Sequence, residues 1–283
     1  MRAGRGRRHQ PASGGAAAAA AHACAARSAP LFDEGKPVTC LPEITPGQKK
    51  LGLVIDLDTC VGCQACAVNC KEWNASGHSG PLPDLKPYSA GAEGVWFNRV
   101  HSYEAGEGAQ GRTVHFPRSC LHCETPDCVT VCPTGASYKR IEDGIVLVDH
   151  DICIGCGLCA WACPYGAREM DEDAGVMKKC TLCIDRIYNE NIPEAQRQPA
   201  CVLTCPTSAR HFGDLGDPES KVSKLVAERG GQPLMPELGY KPVNSYLPPR
   251  NRTSLAAKPD EAAPTPMDIK NPLLRWMDKV LTR

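Results

Sequence analysis

The chain has 283 residues, 32 basic and 32 acidic side chains and a formal net charge of zero, which argues against a general binder of polyanions, since such proteins are clearly basic. Its 18 Cys in 283 residues are too few for a disulfide scaffold, where Cys exceeds roughly 8–10%, and no apolar run reaches the roughly 18–20 residues that a membrane-spanning helix needs. With 25 Pro and 26 Gly against 4 Trp, 7 Tyr and 4 Phe, the middle of the chain is organised by something other than a large apolar core.

Residues 1–47 read as an N-terminal extension, poorly ordered at first and then an extended strap. Arg7-Arg8 ahead of the alanine run Ala16 to Ala21 has the outline of a twin-arginine export signal. That stretch lacks the Leu, Ile or Phe of an apolar signal region, so it reads as a disordered extension. Leu31 to Gly47 is punctuated by Pro and suits a strap over a partner.

Residues 48–215 form a dense cysteine module containing an internal repeat. LVIDLDTCVGCQACAVNC begins at Leu53 and VLVDHDICIGCGLCAWAC begins at Val146. Each runs from a β-branched strand through an acidic residue into Cys-x2-Cys-x2-Cys-x3-Cys. A second echo follows the last cysteine of three motifs: CPTGA at Cys132, CPYGA at Cys163 and CPTSA at Cys205. Proline there has no N–H to satisfy and turns the chain away. At Cys70 the next residue is Lys71, which changes the chain exit there and leaves the thiol available.

The segment 71–119 is an insertion, with a strand predicted from Gly94 (GVWFNRVHSYE) that either packs on a neighbour or extends a sheet. YKRIEDGIVLVD from Tyr138 predicts a strand, a Glu-Asp-Gly turn and a strand. Lys178-Lys179, beside Cys180, reads as a solvated pair, the alternative being that it raises the potential of a cluster or docks a partner. Residues 216–283 form a polar, Pro-rich C-terminal tail with two short amphipathic helices, PESKVSKLVAERG from Pro218 and NPLLRWMDKVLTR from Asn271.

Sixteen cysteines fall into four groups of four: Cys60, Cys63, Cys66, Cys70; Cys120, Cys123, Cys128, Cys132; Cys153, Cys156, Cys159, Cys163; and Cys180, Cys183, Cys201, Cys205. Cys24 and Cys40 are left without a role. The Cys-x2-Cys-x2-Cys-x3-Cys run is the signature of bacterial ferredoxins holding two clusters, in which three thiolates on one loop wrap one iron–sulfur cube and the fourth ligates the other. Structural zinc uses separated Cys pairs, and disulfides between neighbours at this spacing are strained. The predicted fold is therefore α+β: tandem bacterial-ferredoxin-like units, each 2×[4Fe-4S], with a pseudo-twofold repeat, small antiparallel hairpins, short helices and long insertions. No Walker loop, dinucleotide fingerprint or nucleophile motif is present. The chain thus reads as an electron relay without catalytic residues of its own, and as no nucleic-acid binder.

At these motifs the chain resembles the four-cluster ferredoxin-like electron-transfer subunits of the DMSO reductase molybdoenzyme family. LGLVIDLDTCVGCQACAVNCKEWN from Leu51 and the strap LFDEGKPVTCLPEI are most similar to the iron–sulfur subunits of membrane-bound, quinone-linked sulfite dehydrogenases. The resemblance implies four [4Fe-4S] clusters, because all sixteen positions are Cys. It implies that the first motif pairs with the fourth and the second with the third. Cys60, Cys63, Cys66 and Cys205 would hold cluster 1, and Cys70, Cys180, Cys183 and Cys201 cluster 2. Cys120, Cys123, Cys128 and Cys163 would hold cluster 3, and Cys132, Cys153, Cys156 and Cys159 cluster 4. It further implies a molybdopterin-containing catalytic subunit and an integral-membrane, quinone-interacting anchor as partners. Sulfite would be oxidised on the molybdenum subunit; a dimethyl sulfoxide, thiosulfate, polysulfide or tetrathionate reductase is the alternative. The expected location is cytoplasmic, peripheral on the inner face of the membrane through these partners, with the periplasmic face as the alternative.

Overall fold

The structure is a computed structural model that describes residues 41–43, 47–74, 95–106 and 111–250. The export-signal reading, most of the strap, residues 75–94 and 107–110 of the insertion and the helix predicted from Asn271 lie outside the described residues. In chain order the described residues form strand β1 (Leu51–Asp56), helix α1 (Ala65–Asn74), strands β2 (Asn98–Ala105) and β3 (Arg112–Ser119), helix α2 (Asp127–Thr130), and strands β4 (Ser137–Lys139) and β5 (Val146–Val148). Helix α3 (Leu158–Trp161), strands β6 (Glu169–Asp171) and β7 (Val176–Lys178), helices α4 (Ile184–Ile187) and α5 (Ala200–Leu203) and strand β8 (Arg210–Asp214) follow. Helix α6 (Lys221–Arg229) and strands β9 (Gln232–Pro233) and β10 (Ser245–Leu247) come last, and two 3-10 turns, Glu194–Gln196 and Pro236–Leu238, lie among them.

β1 is the centre of the fold. Its sequence, LGLVID, is buried at every residue, as befits a strand covered on both faces. Leu51, Leu53 and Ile55 pack with Leu121, Ile145, Leu182 and Ile187 among the cysteines. Val54 lies in a second cluster with Val222 and Leu247, against Leu215, Leu225 and Val226. Each such side chain, fully buried, contributes about 1.5–3 kcal/mol. α6 is held in place by its caps: Ser220 Oγ accepts from the Ser223 N–H at 3.1 Å, and Gly230 closes the helix in the left-handed region at φ 62°. Arg229 then reaches Asp56 at the end of β1, at 3.0 Å.

β1 sits in a four-stranded sheet of order β8-β1-β10-β9. β8 runs antiparallel to it, from Leu51 opposite Asp214 to Ile55 opposite Arg210. β10 runs parallel, from Val54 opposite Ser245 to Asp56 opposite Leu247. The segment after residue 215, read from sequence as a tail with short helices, thus also supplies two strands of this sheet. Asn244 locks it in: its Oδ1 accepts the Leu53 N–H at 2.9 Å and its Nδ2 donates to the Cys120 carbonyl at 3.0 Å.

Three two-stranded antiparallel hairpins complete the sheets: β2–β3, β4–β5 and β6–β7. β4–β5, with Ser137 opposite Val148, is the hairpin predicted from Tyr138. The strand predicted from Gly94 is realised as β2, paired with β3 from Asn98 opposite Ser119 to Ala105 opposite Arg112. The pairing has a symmetry. The strand before the first cysteine motif, β1, pairs with the strand after the fourth, β8. The strand before the third motif, β5, pairs with the strand after the second, β4.

Candidate metal centres

The four cysteine loops share a backbone conformation that their sequences hide. The residue before the second cysteine is left-handed in every motif: Gly62 (φ 67°), His122 (φ 48°), Gly155 (φ 64°) and Leu182 (φ 52°). Glycine adopts this freely, whereas His122 and Leu182 do so at about 1–2 kcal/mol each. The third residue after the last cysteine is left-handed as well, at Gly135, Gly166 and Ser208. That second turn brings backbone N–H groups back to sulfur. Ser137 N–H donates to Cys132 Sγ at 3.3 Å and Ala209 N–H to Cys205 Sγ at 3.3 Å. Cys70 lacks the following proline, so α1 continues through it to Asn74. Asn74 Nδ2 donates to the Cys70 carbonyl at 2.8 Å and lies 3.6 Å from Cys70 Sγ and 3.9 Å from Cys183 Sγ.

The fold brings thiols of different motifs together. A small cavity is lined by Cys60, Cys63, Cys66 and Cys205, with Arg210 in its wall. A second small cavity is lined by Cys132, Cys153, Cys156 and Cys159, with Arg168 in its wall. Burial first, then the adjacent Cys180, Cys201 and Cys183, push the Cys70 thiol far above its ordinary value. Burial and then Cys120, Cys128 and Cys163 do the same to Cys123. Among the described residues no three His, Cys, Asp or Glu side chains close up on a point that could hold one metal ion.

The electrostatics fit a multi-thiolate metal group. Burial raises Cys128 to about 11, Cys180 to about 12 and Cys183 to about 11, so these groups stay protonated in the metal-free protein and metal binding has to displace their protons. At Cys132 burial also pushes upward, but the Ser137 N–H and the Thr134 hydroxyl outweigh it and hold the thiol below its ordinary value. Cations stand close by. Lys139 Nζ donates to the Cys123 carbonyl at 2.8 Å, and burial lowers its pKa to about 8. Lys179 is not solvated, which corrects the sequence reading of the lysine pair. It is buried and donates to the Val146 and Cys180 carbonyls. Its neighbour Lys178 pairs with Asp171 across the β6–β7 hairpin. Soft thiolates, N–H groups on sulfur and buried cations are the donor set and surroundings of an iron–sulfur cluster.

Exposure separates the groups. Cys63 and Cys156 are the exposed thiols among the described residues, although Cys66, Cys132 and Cys159 in their groups are buried, and Cys70, Cys120, Cys123, Cys180, Cys183 and Cys201 are buried as well. Exposed apolar side chains flank both exposed thiols: Val61 and Val68 near Cys63, and Ile152, Ile154, Leu158 and a 90% exposed Trp161 around Cys156.

The family model of the 4Fe-4S dicluster domain matches residues 112–215. Over 212 residues, 75% of this chain and 88% of the relative, the sequence is 59% identical to a sulfite dehydrogenase subunit from Allochromatium vinosum. The protein belongs to the iron–sulfur electron-transfer subunits of the DMSO reductase molybdoenzyme family. Two further relatives have other substrates in their names. A tetrathionate reductase subunit from Salmonella typhimurium is 37% identical over 70% of this chain and 72% of its own length. A component of the anaerobic dimethyl sulfoxide reductase of Escherichia coli is 35% identical over 74% of this chain and 97% of its own length. As in that family, the protein holds iron–sulfur clusters and carries electrons. Among the described residues no helix is long and apolar enough to cross a membrane.

The sequence reading does not single out Arg168, Arg210 or Asn74. The two arginines had a signal, since both stand fifth after a cysteine, in CPYGAR and CPTSAR.

Proposed function

We propose that the protein holds four [4Fe-4S] clusters in two ferredoxin-like halves within residues 48–215, and that it relays electrons from sulfite oxidation to quinone. In this reading Cys60, Cys63, Cys66 and Cys205 hold cluster 1, and Cys70, Cys180, Cys183 and Cys201 hold cluster 2. Cys120, Cys123, Cys128 and Cys163 hold cluster 3, and Cys132, Cys153, Cys156 and Cys159 hold cluster 4. The observation that carries the reading is the grouping of the thiols, two groups around cavities and two within the buried interior. The β1–β8 and β4–β5 pairings support the same partition into halves.

Bound clusters supply one-electron carriers, and the protein supplies their order. Cys201 lies within electrostatic reach of Cys66, which supports placing cluster 2 beside cluster 1. Cys180 lies within reach of Cys120, which supports placing cluster 2 beside cluster 3. Arg168 acts on both Cys128 and Cys159, which supports placing cluster 3 beside cluster 4. The sequence 1–2–3–4 then runs between the two exposed cysteines, Cys63 at one end and Cys156 at the other, where electrons enter and leave.

The partners are a molybdopterin-containing catalytic subunit, where sulfite becomes sulfate, and an integral-membrane anchor, where quinone is reduced. The identity to the sulfite dehydrogenase subunit across 88% of that relative supports sulfite as substrate. The identities of 34–38% to dimethyl sulfoxide, tetrathionate and polysulfide reductase subunits are the basis for a reductase as the second reading. The protein works on the cytoplasmic side, peripheral to the membrane through its partners, because thiols awaiting clusters persist in a reducing compartment. Deleting the gene should abolish quinone-linked sulfite oxidation while the molybdenum subunit still reduces an artificial acceptor. A deletion strain that oxidises sulfite normally and loses growth on dimethyl sulfoxide, thiosulfate or tetrathionate would establish the reductase instead. A C-terminal reporter active only in the periplasm would refute the cytoplasmic location.

A further inference from the structure

Arg168 and Arg210 occupy equivalent positions of the repeated sequence and equivalent surroundings. Both are buried, at 6% and 3% exposure. A buried guanidinium without an opposite charge is strongly destabilising. Elsewhere in the chain this is met by a carboxylate, as where Arg99 pairs with Glu169. Arg168 Nη2 instead donates to Ser137 Oγ at 2.7 Å and to Cys128 Sγ at 3.1 Å, and Arg210 Nη2 donates to Asn98 Oδ1 at 2.6 Å. In both residues Nε and Nη1 are buried with no hydrogen-bond partner among the described residues.

What surrounds each guanidinium is sulfur from two different thiol groups. Arg168 acts on Cys128, Cys159 and Cys120, and it lines the cavity of Cys132, Cys153, Cys156 and Cys159. Arg210 acts on Cys201, Cys66 and Cys70, and it lines the cavity of Cys60, Cys63, Cys66 and Cys205. Each arginine thus stands at the seam between two thiol groups, one seam in each half of the repeat.

We infer that Arg168 and Arg210 are the resident counter-charges of the relay, each shared by the two clusters of its half and holding both of their reduction potentials up together. The inference rests on the four-cluster reading above. Adding an electron makes a thiolate-bound cluster more negative, and a fixed cation beside it favours that state. A guanidinium does not titrate in the working range, so the effect is constant with pH. Because one charge serves two clusters, the pair should shift as a unit.

The test uses the full-length, cluster-loaded protein with Arg168→Met, Arg168→Lys, Arg210→Met and Arg210→Lys, read by EPR-monitored redox titration after iron and sulfide are counted. Arg168→Met should lower two of the four midpoints, each by at least a tenfold change in the reduced-to-oxidised ratio, which is 59 mV for one electron, and leave the other two in place. Arg210→Met should lower the complementary two. The lysine variants, which keep the charge, should keep most of each potential. If a methionine variant fails to retain its two clusters while the lysine variant retains them, the need for charge is supported on a second readout. Full iron content with no midpoint moved, with one moved or with all four moved equally overturns the inference, as does equal cluster loss in the methionine and lysine variants. Wild-type protein that lacks about 16 iron overturns the four-cluster reading itself, and this is seen before any variant is titrated.

Discussion

The loop glycines give a graded experiment. A Cβ at Gly155 would lie 2.5 Å from the Gly175 carbonyl oxygen, in the turn of the β6–β7 hairpin, at a backbone φ of +64°. Gly157, two residues on, has φ +75° and open space where a Cβ would go. Gly62 has φ +67° and would meet the His115 ring at 2.4 Å. Alanine at Gly157 therefore costs the left-handed conformation alone, about 1–2 kcal/mol. At Gly62 the imidazole can swing aside and give up its contact with Ser102, 2.9 Å away, which adds about 0.5–1.5 kcal/mol. At Gly155 the obstacle is backbone. The hairpin has to move, and with it the Met177 N–H that donates to Cys153 Sγ at 3.5 Å, so the total reaches about 3–5 kcal/mol. At roughly 2–4 °C per kcal/mol for a chain of this size, Gly157→Ala should melt about 2–8 °C below wild type and Gly155→Ala about 6–20 °C below. The assay is the loss of visible cluster absorption in a thermal ramp at one fixed scan rate, since metalloprotein unfolding is irreversible. Gly155→Ala melting at or above Gly157→Ala would refute the reasoning.

Purified protein should carry about 16 iron and 16 sulfide and absorb broadly near roughly 400 nm, as four four-iron clusters require; about four zinc per molecule without a visible band would end the cluster reading. Cys128→Ser should damage the cluster that includes Cys163 and spare the one that includes Cys132, and the opposite pattern in EPR would break the proposed pairing. Asn244→Ala strands the Leu53 N–H and the Cys120 carbonyl, which should destabilise by about 2–4 kcal/mol and lower the thermal midpoint; an unchanged midpoint would mean water replaces the amide. Removing iron should leave β1 and β8 protected in hydrogen exchange while the cysteine loops exchange fast, because the sheet is packed by Leu53, Ile55 and Val54; uniform exchange would show that the metal organises the whole molecule.

The sequence makes the thiols legible because cluster chemistry fixes their spacing, and repetition makes the spacing unmistakable. It also exposes the β4–β5 hairpin through its Glu-Asp-Gly turn, and α6 through the flanking Pro218 and Gly230. What it hides is decided by neighbours far away in the chain. Lys179 looks solvated in sequence, yet it is buried because the Val146 carbonyl lies within its reach. SYL at Ser245–Leu247 is too short to announce a strand, and it becomes one because β1 offers a free edge. His122 and Leu182 carry the left-handed turns that Gly62 and Gly155 carry elsewhere, so a conformational repeat is present where the residue types do not repeat.

The pairing of β1 with the end of the module has a consequence for how the protein is made. Leu53 emerges from the ribosome early, but Asn244, which secures it, follows 191 positions later. The β4–β5 hairpin closes within a dozen residues, and Cys120 to Cys163 are all synthesised before Cys180 appears. In the proposed pairing, clusters 3 and 4 have all their ligands while the ribosome is still at work, whereas clusters 1 and 2 wait for Cys201 and Cys205. That pairing therefore implies an order of maturation set by loop closure, and a chain truncated between Cys163 and Cys180 should emerge with one half loaded and the other empty.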